Sequence, residues 1–161
     1  MPRYIKQREM TTCGPVAIIN ALRWAGQKAP YSLSKSKIRK ACKWNSGKGT
    51  RHTNFEKALR KFGGKYFSIR KKKRPTLKEM RKHLSAGQAI VLSYAWESGG
   101  ERSRHFSLLI PHDGFVYRVN SYRKGPAAVL VGEGSFRRYE LRFQRTKECG
   151  LVGWFLNRRE R

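Results

Sequence analysis

Acidic residues are scarce in this chain: 10 Asp plus Glu stand against 37 Lys plus Arg among 161 residues, a formal net charge of +27. The excess is spread along the whole sequence, so the molecule's field attracts polyanions and costs stability through self-repulsion unless one is near. Cysteine is also sparse. Cys13, Cys42 and Cys149 are odd in number and contain no C-x-x-C pair, which excludes a complete disulfide framework and a zinc module and points to a reducing compartment. No apolar run approaches the length of a membrane span, and the start, Met1-Pro2-Arg3-Tyr4-Ile5-Lys6, lacks the core of a signal peptide. Internal repeats and low-complexity linkers are missing. So is any helix-turn-helix, zinc-finger or RNA-binding consensus, which leaves base-specific reading without support.

What is present is ordinary globular material, 39% hydrophobic and 12% aromatic, in a length that suits one domain. The first half reads as helical. Pro15 suits a helix's first turn, so a helix starts near Thr12 or Cys13 and ends at Ala25-Gly26. A basic helix follows from Ser32 or Ser34 to Trp44, then a loop over Asn45 to Thr50. Thr53/Glu56 and Thr76/Glu79 have capping-box spacing and open helices that run to Gly63-Gly64 and to Ser85-Ala86-Gly87. From Gln88 the pattern becomes strand-like. Ala89 to Trp96 is a buried strand, and His105 to Ile110 and Phe115 to Tyr122 flank an Asp113-Gly114 turn as a hairpin. Ala127 to Val131, Phe136 to Phe143 and Leu151 to Leu156 are later strand candidates. The expected architecture is α+β: a helical lobe over about residues 1–87, packed on an antiparallel β lobe over about residues 88–161, with a cleft between them.

Chemistry centres on Cys13. A free cysteine is commonly a small buried hydrophobe, but this one sits at the positive end of a helix dipole, where thiolate is favoured. Thr11, Thr12 and Gly14 give it a polar surround, and Gly14 leaves room for a substrate. A nucleophilic thiol needs a base, and the base needs a third group to orient its ring. Of the four histidines, His52, His83 and His112 read as solvated side chains. His105 opens a strand of the hairpin, and Asn120 on the returning strand, 15 residues later (120 − 105), can come back to its level. Gln7 stands six residues before Cys13 (13 − 7); its side-chain amide and the Cys13 backbone N–H would be two donors for a developing oxyanion.

Gln7, Cys13-Gly14-Pro15 opening an apolar helix, and His105-Phe106 on a strand resemble the C39-type peptidases of the papain-like cysteine peptidase superfamily. The order of elements matches over roughly residues 5 to 125. The resemblance implies a papain-like fold, attack on a carbonyl by Cys13, His105 as base then acid, and Gln7 in the oxyanion hole, with no metal or cofactor. The third position departs from the pattern. C39-type enzymes usually carry Asp there, whereas this chain reads Val119-Asn120-Ser121-Tyr122, similar to the Asn-Ser-Trp of papain-like enzymes. Asn120 is favoured, and a one-residue shift would put Ser121 in its place. Asp113 sits at the far end of the hairpin.

The function expected is a cysteine peptidase acting on a protein or peptide in a polyanion-rich setting. The alternative is a peptidase-fold scaffold serving as a basic component that binds DNA or RNA, and a deconjugating or amide-transferring enzyme would use the same Cys-His pair. The run Arg70-Lys71-Lys72-Lys73-Arg74 is the candidate nucleic-acid patch, although five like charges are also what a solvated loop carries. Basic pairs elsewhere, interspersed with Trp44, Tyr66 and Tyr122, suit sequence-independent phosphate binding. The expected location is intracellular: cytoplasm, nucleus or a nucleic-acid-containing particle.

Overall fold

In a computed structural model of the chain, the described residues are 2–7, 11–27, 33–45, 47, 49–98, 101–119, 127–132 and 151–160. The elements are α1 (Cys13–Trp24), α2 (Leu33–Ala41), α3 (His52–Gly63), β1 (Phe67–Lys73), α4 (Leu77–Ser85), β2 (Ala89–Ser98), β3 (Glu101–His112), β4 (Phe115–Val119), β5 (Ala128–Leu130) and β6 (Val152–Arg158). The strands form one six-stranded sheet in the order β1-β6-β2-β3-β4-β5, and every neighbouring pair is antiparallel. This is the α+β fold that the sequence leads one to expect. Expected strand residues 136–143 lie outside the described set.

α1 is buried almost all round, from Cys13 to Trp24 with only Arg23 reaching toward solvent. A helix without a polar face belongs inside. It packs with Ile38, Phe55, Ala58 and Leu59 of α2 and α3 against Val91, Phe106, Leu108, Val119 and Trp154 on one face of the sheet. On the other face Met80 and Leu84 of α4 cover Ile90, Leu92, Tyr94, Leu109 and Phe155. β2 is therefore buried on both sides, which explains its continuous apolar sequence.

Local signals account for several boundaries. Gly26 and Gly87 close α1 and α4 at φ 82° and 78°, and Asp113-Gly114 turns between β3 and β4 with both φ values positive, as a tight type I′ hairpin requires. Thr76 and Glu79 form a reciprocal capping box. Thr53 and Glu56 do not: α3 begins one residue earlier, with Arg51 as its N-cap and no side-chain cap bond. Glu56 instead takes hydrogen bonds from Arg60 (2.9 Å) and Trp154 (3.4 Å) and pairs with Lys71 (3.4 Å). α2 ends at Ala41, short of Trp44, because Lys43 adopts φ 48°.

The basic run is a strand, not a loop. Residues 70–73 belong to β1 and pair with Phe155 through Val152 of β6; Arg74 follows at φ 50°. Arg70 stacks over Phe155, Lys71 lies over Trp154, and Lys72 pairs with Glu79. Among the described residues no helix is long and apolar enough to cross a membrane.

Candidate active site

Three of the four expected catalytic positions are described, and all three are buried. Cys13 is 5% exposed, His105 2% and Gln7 2%. Cys13 is the first residue of α1, and its thiol lies against the backbone N–H groups of Phe106, Gly14 and Cys13 itself. The Phe106 contact joins the start of α1 to β3 at the residue after His105. β3 begins at Glu101, so His105 lies within the strand instead of opening it.

The thiol's environment corrects one sequence expectation. Burial pushes the Cys13 pKa up, and the N–H groups of Phe106, Gly14 and Cys13 pull it back only in part. The helix start alone does not make this sulfur a thiolate. Thr12, expected to give a polar surround, is itself fully buried. Nor is the space beside Gly14 open for substrate: a Cβ there would meet the Thr50 Cβ at 3.0 Å. Gly14 lets the loop before α3 close onto α1. That loop is tied in by Trp44 Nε1, which donates to the Thr11 carbonyl at 2.9 Å, and by Gly49, at φ 68°, whose added Cβ would lie 3.2 Å from the same oxygen. Cys42 sits behind, buried, with its pKa pushed up to about 12, chiefly by burial.

Gln7 is brought in by a clamp that the sequence does not advertise. The backbone N–H of Ile5 donates to Asn20 Oδ1 at 2.9 Å, and Asn20 Nδ2 donates to the Ile5 carbonyl at 3.1 Å. Arg23 also donates to the Arg3 carbonyl. The N-terminal segment thus runs antiparallel to α1, and Lys6 and Gln7 advance toward the Cys13 end. An Asn in an apolar helix was the available signal, because a buried amide must find partners.

His105 shares its sheet face with Tyr94 and Ser107. The Tyr94 ring meets the imidazole edge-on at 5.6 Å, and its hydroxyl is 3.1 Å from Ser107 Oγ. Asn120 and Ser121 lie outside the described residues.

Two of the other histidines, His83 and His52, differ from the solvated side chains expected. His83 Nε2 is 3.0 Å from the Ala89 carbonyl and 3.1 Å from that of Leu156, tying α4 to two strands. His52, first residue of α3, has Nε2 2.6 Å from Ser93 Oγ and 2.7 Å from Arg104 Nη1. Its ring stands edge-on to Phe106 and Trp154. Burial, then Arg104 and Lys71, lower its pKa to about 4, so it is neutral at ordinary pH. A cavity of about 610 Å³ lies at the other end of α1, between Trp24, Arg158 and the β3–β4 turn; it contains none of the residues above. Among the described residues, no group of three His, Cys, Asp or Glu could hold a metal.

No family model matches the sequence, and no curated protein matches it. Solved structures do. One is described as a C39-like peptidase from Bacillus anthracis, with a TM-score of 0.62 and 15% identity over 99% of this chain and 96% of that one. Another is a double glycine motif protease from an AMS/PCAT transporter, solved in complex with the leader peptide. Its TM-score is 0.61 with 18% identity, covering 97% of this chain and 91% of that one. At such identities the likeness is one of architecture, and the chain has the α+β fold of the C39-like peptidases.

Proposed function

We propose that the protein is a cysteine peptidase that cleaves a peptide or related amide bond through a thioester. The observation that carries this reading is that the Cys13 thiol, at the start of α1, lies against the N–H of Phe106, the residue that follows the buried His105 in β3. The buried Gln7, on the segment clamped along the same helix, supports it. His105 takes the thiol proton as sulfur attacks the carbonyl carbon, forming the C–S bond and moving the carbonyl π pair onto oxygen. The Gln7 amide and the Cys13 N–H donate to that oxyanion. Its collapse breaks the C–N bond while the imidazolium protonates the leaving amine. Water, deprotonated by His105, then hydrolyses the thioester and restores the thiol.

Asn120 is assigned as the group that orients His105. The support is the sequence Val119-Asn120-Ser121-Tyr122, similar to the Asn-Ser-Trp of papain-like enzymes, in which Asn orients the histidine. A peptidyl vinyl sulfone tests the whole reading. It is expected to add covalently to Cys13 of the wild type, not to the Cys13→Ala variant, and slowly to His105→Ala. Folded wild-type protein that stays unlabelled overturns it.

The net charge of +27 favours a second reading, a basic component that binds DNA or RNA and uses the peptidase fold as a scaffold. Nucleic-acid affinity falling steeply with salt and unchanged in Cys13→Ala would support it; weak, salt-insensitive binding would remove it. Arg70, Lys71, Lys72, Lys73 and Arg74 are the assigned contacts, in competition with Glu56 and Glu79 for Lys71 and Lys72.

A further inference from the structure

At the end of α1 remote from Cys13, the cavity of about 610 Å³ lies between the N-terminal segment, the end of α4 and the β3–β4 turn. The 12 residues of α1 put about 18 Å of helix between it and the thiol. One wall is cationic. Arg158 lays its guanidinium over the Trp24 ring, 4.6 Å from the centroid, and donates to the Trp24 carbonyl at the C-terminus of α1. A guanidinium has donors to spare after one carbonyl, and its full charge exceeds the partial negative charge of a helix end. Among the described residues no carboxylate pairs with Arg158. Tyr4 also lines the cavity. It is 7% exposed, and its hydroxyl is buried with no hydrogen-bond partner among the described residues. Burial pushes this phenol up to about 12, although the Arg158 charge acts against the rise, so the hydroxyl keeps its proton. A buried donor without an acceptor is rare and costly. Elsewhere the wall is apolar, with Pro111, Val116 and Phe115, whose ring is 57% exposed. Asp113 brings an acid to the lining, but it is 81% exposed and 3.2 Å from His112 Nε2, so solvent and an imidazole take up its charge.

We propose that this cavity is a binding site for a carboxylate carried on a flat apolar body, with Arg158 and Tyr4 holding the carboxylate and Phe115 covering the remainder. The site stands apart from the peptidase reading of Cys13. A guanidinium presents a planar fork matched to the two oxygens of a carboxylate, and one already stacked on an indole loses less freedom on pairing. The Tyr4 hydroxyl supplies a further donor and gains the acceptor it lacks. Apolar walls with a few fixed polar groups, in a volume of this size, are what small-molecule sites are made of. A phosphate dianion calls for more positive charge, and among the described residues the lining holds no lysine and no second arginine. Two sources carry the chemistry that fits: a free small acid, and the C-terminal carboxylate of a peptide that ends in an apolar residue.

The experiment titrates the intact chain by calorimetry at physiological salt with two pairs of probes: 2-naphthoate and neutral 2-naphthalenemethanol, and acetyl-Gly-Phe as the free acid and as the C-terminal amide. An acid is expected to bind saturably, one per chain, and about 10-fold or more tighter than its neutral counterpart. Tighter binding of naphthoate identifies a free acid as the source, and tighter binding of the peptide acid identifies a chain terminus. Arg158→Gln should weaken the acid by about 10-fold or more, and Tyr4→Phe by about 3- to 10-fold. Arg159→Gln removes the same charge one residue on, outside the lining, and should leave the affinity within about 2-fold of wild type. Ser85→Trp, at an exposed position of the wall, fills the space while leaving the Arg158–Trp24 contact in place. It should abolish binding, and it decides the matter if Arg158→Gln does not fold. Absence of saturable binding by either acid overturns the inference, as does equal affinity for acid and neutral counterpart. So does a loss that Arg159→Gln matches, or binding that survives Ser85→Trp. Cys13→Ala should bind as the wild type does, so failure of this inference leaves the peptidase reading standing.

Discussion

The Cys13 sulfur rests on the backbone N–H of Phe106 as well as on those of Gly14 and Cys13, so a strand peptide and the start of its own helix fix the thiol's position together. The same contact leaves the thiol buried, with its pKa above the ordinary value. Alkylation of Cys13 by iodoacetamide in the His105→Ala variant is therefore expected to keep rising above pH 9, past the usual thiol range near 8.5. A plateau at or below pH 8 would contradict the burial argument.

Asn20 holds the segment that carries Gln7 by two buried hydrogen bonds to Ile5. Asn20→Ala strands both Ile5 groups and is expected to cost about 1–3 kcal/mol, a fall of roughly 3–10 °C in Tm for a chain of this size. Turnover should also drop by about 10-fold or more as the oxyanion donor drifts. Thermal unfolding and kcat on the same sample check this, and a loss of stability with full activity would separate Gln7 from the chemistry.

Asn120 and Ser121 compete for the role of orienting His105, and their alanine variants separate them. Asn120→Ala is expected to lower kcat by about 10²-fold or more, as loss of the group that fixes a catalytic imidazole does. Ser121→Ala should stay within a few fold of wild type. The reverse ranking would give Ser121 the role assigned to Asn120.

His52 is neutral in the fold, with a pKa of about 4 against about 6.5 in the open chain. As pH falls below 6.5 the unfolded state takes up a proton that the folded state refuses, so stability is lost down to about pH 4. The loss is roughly 2 kcal/mol after allowing for the ring's partial exposure. Urea midpoints between pH 7 and pH 4 should fall in wild type and fall less in His52→Phe.

Most of the fold was legible where local rules decide it. Asp113-Gly114 specified its own turn, Pro15 and Gly26 bracketed α1, and Thr76/Glu79 made the cap that their spacing promised. Thr53/Glu56 has the same spacing and failed, because Lys71, Arg60 and Trp154 claim the Glu56 carboxylate from three different elements. His52 and His83 were misread for the same reason. Their partners lie 41 residues away at Ser93 and 73 away at Leu156, and no short window carries that information. The basic run became a strand because β6 offers it a partner. Its lysines, at an edge of the sheet, also discourage pairing with other chains.

β6, near the end of the chain, lies inside the sheet between β1 and β2, and its Trp154 packs against Phe55, Phe106 and His52. Until that strand is inserted, the face that receives α1 has no floor beneath α3, and His52, Phe55 and Phe106 lack the Trp154 ring against which all three pack. A nascent chain on the ribosome carries Cys13 from the outset but completes the sheet under it only after residues 152–158 have emerged. Such non-local closure is slow compared with helix formation. Packing beneath Cys13 thus waits on residues 152–158, far along the chain from the helix that carries the thiol.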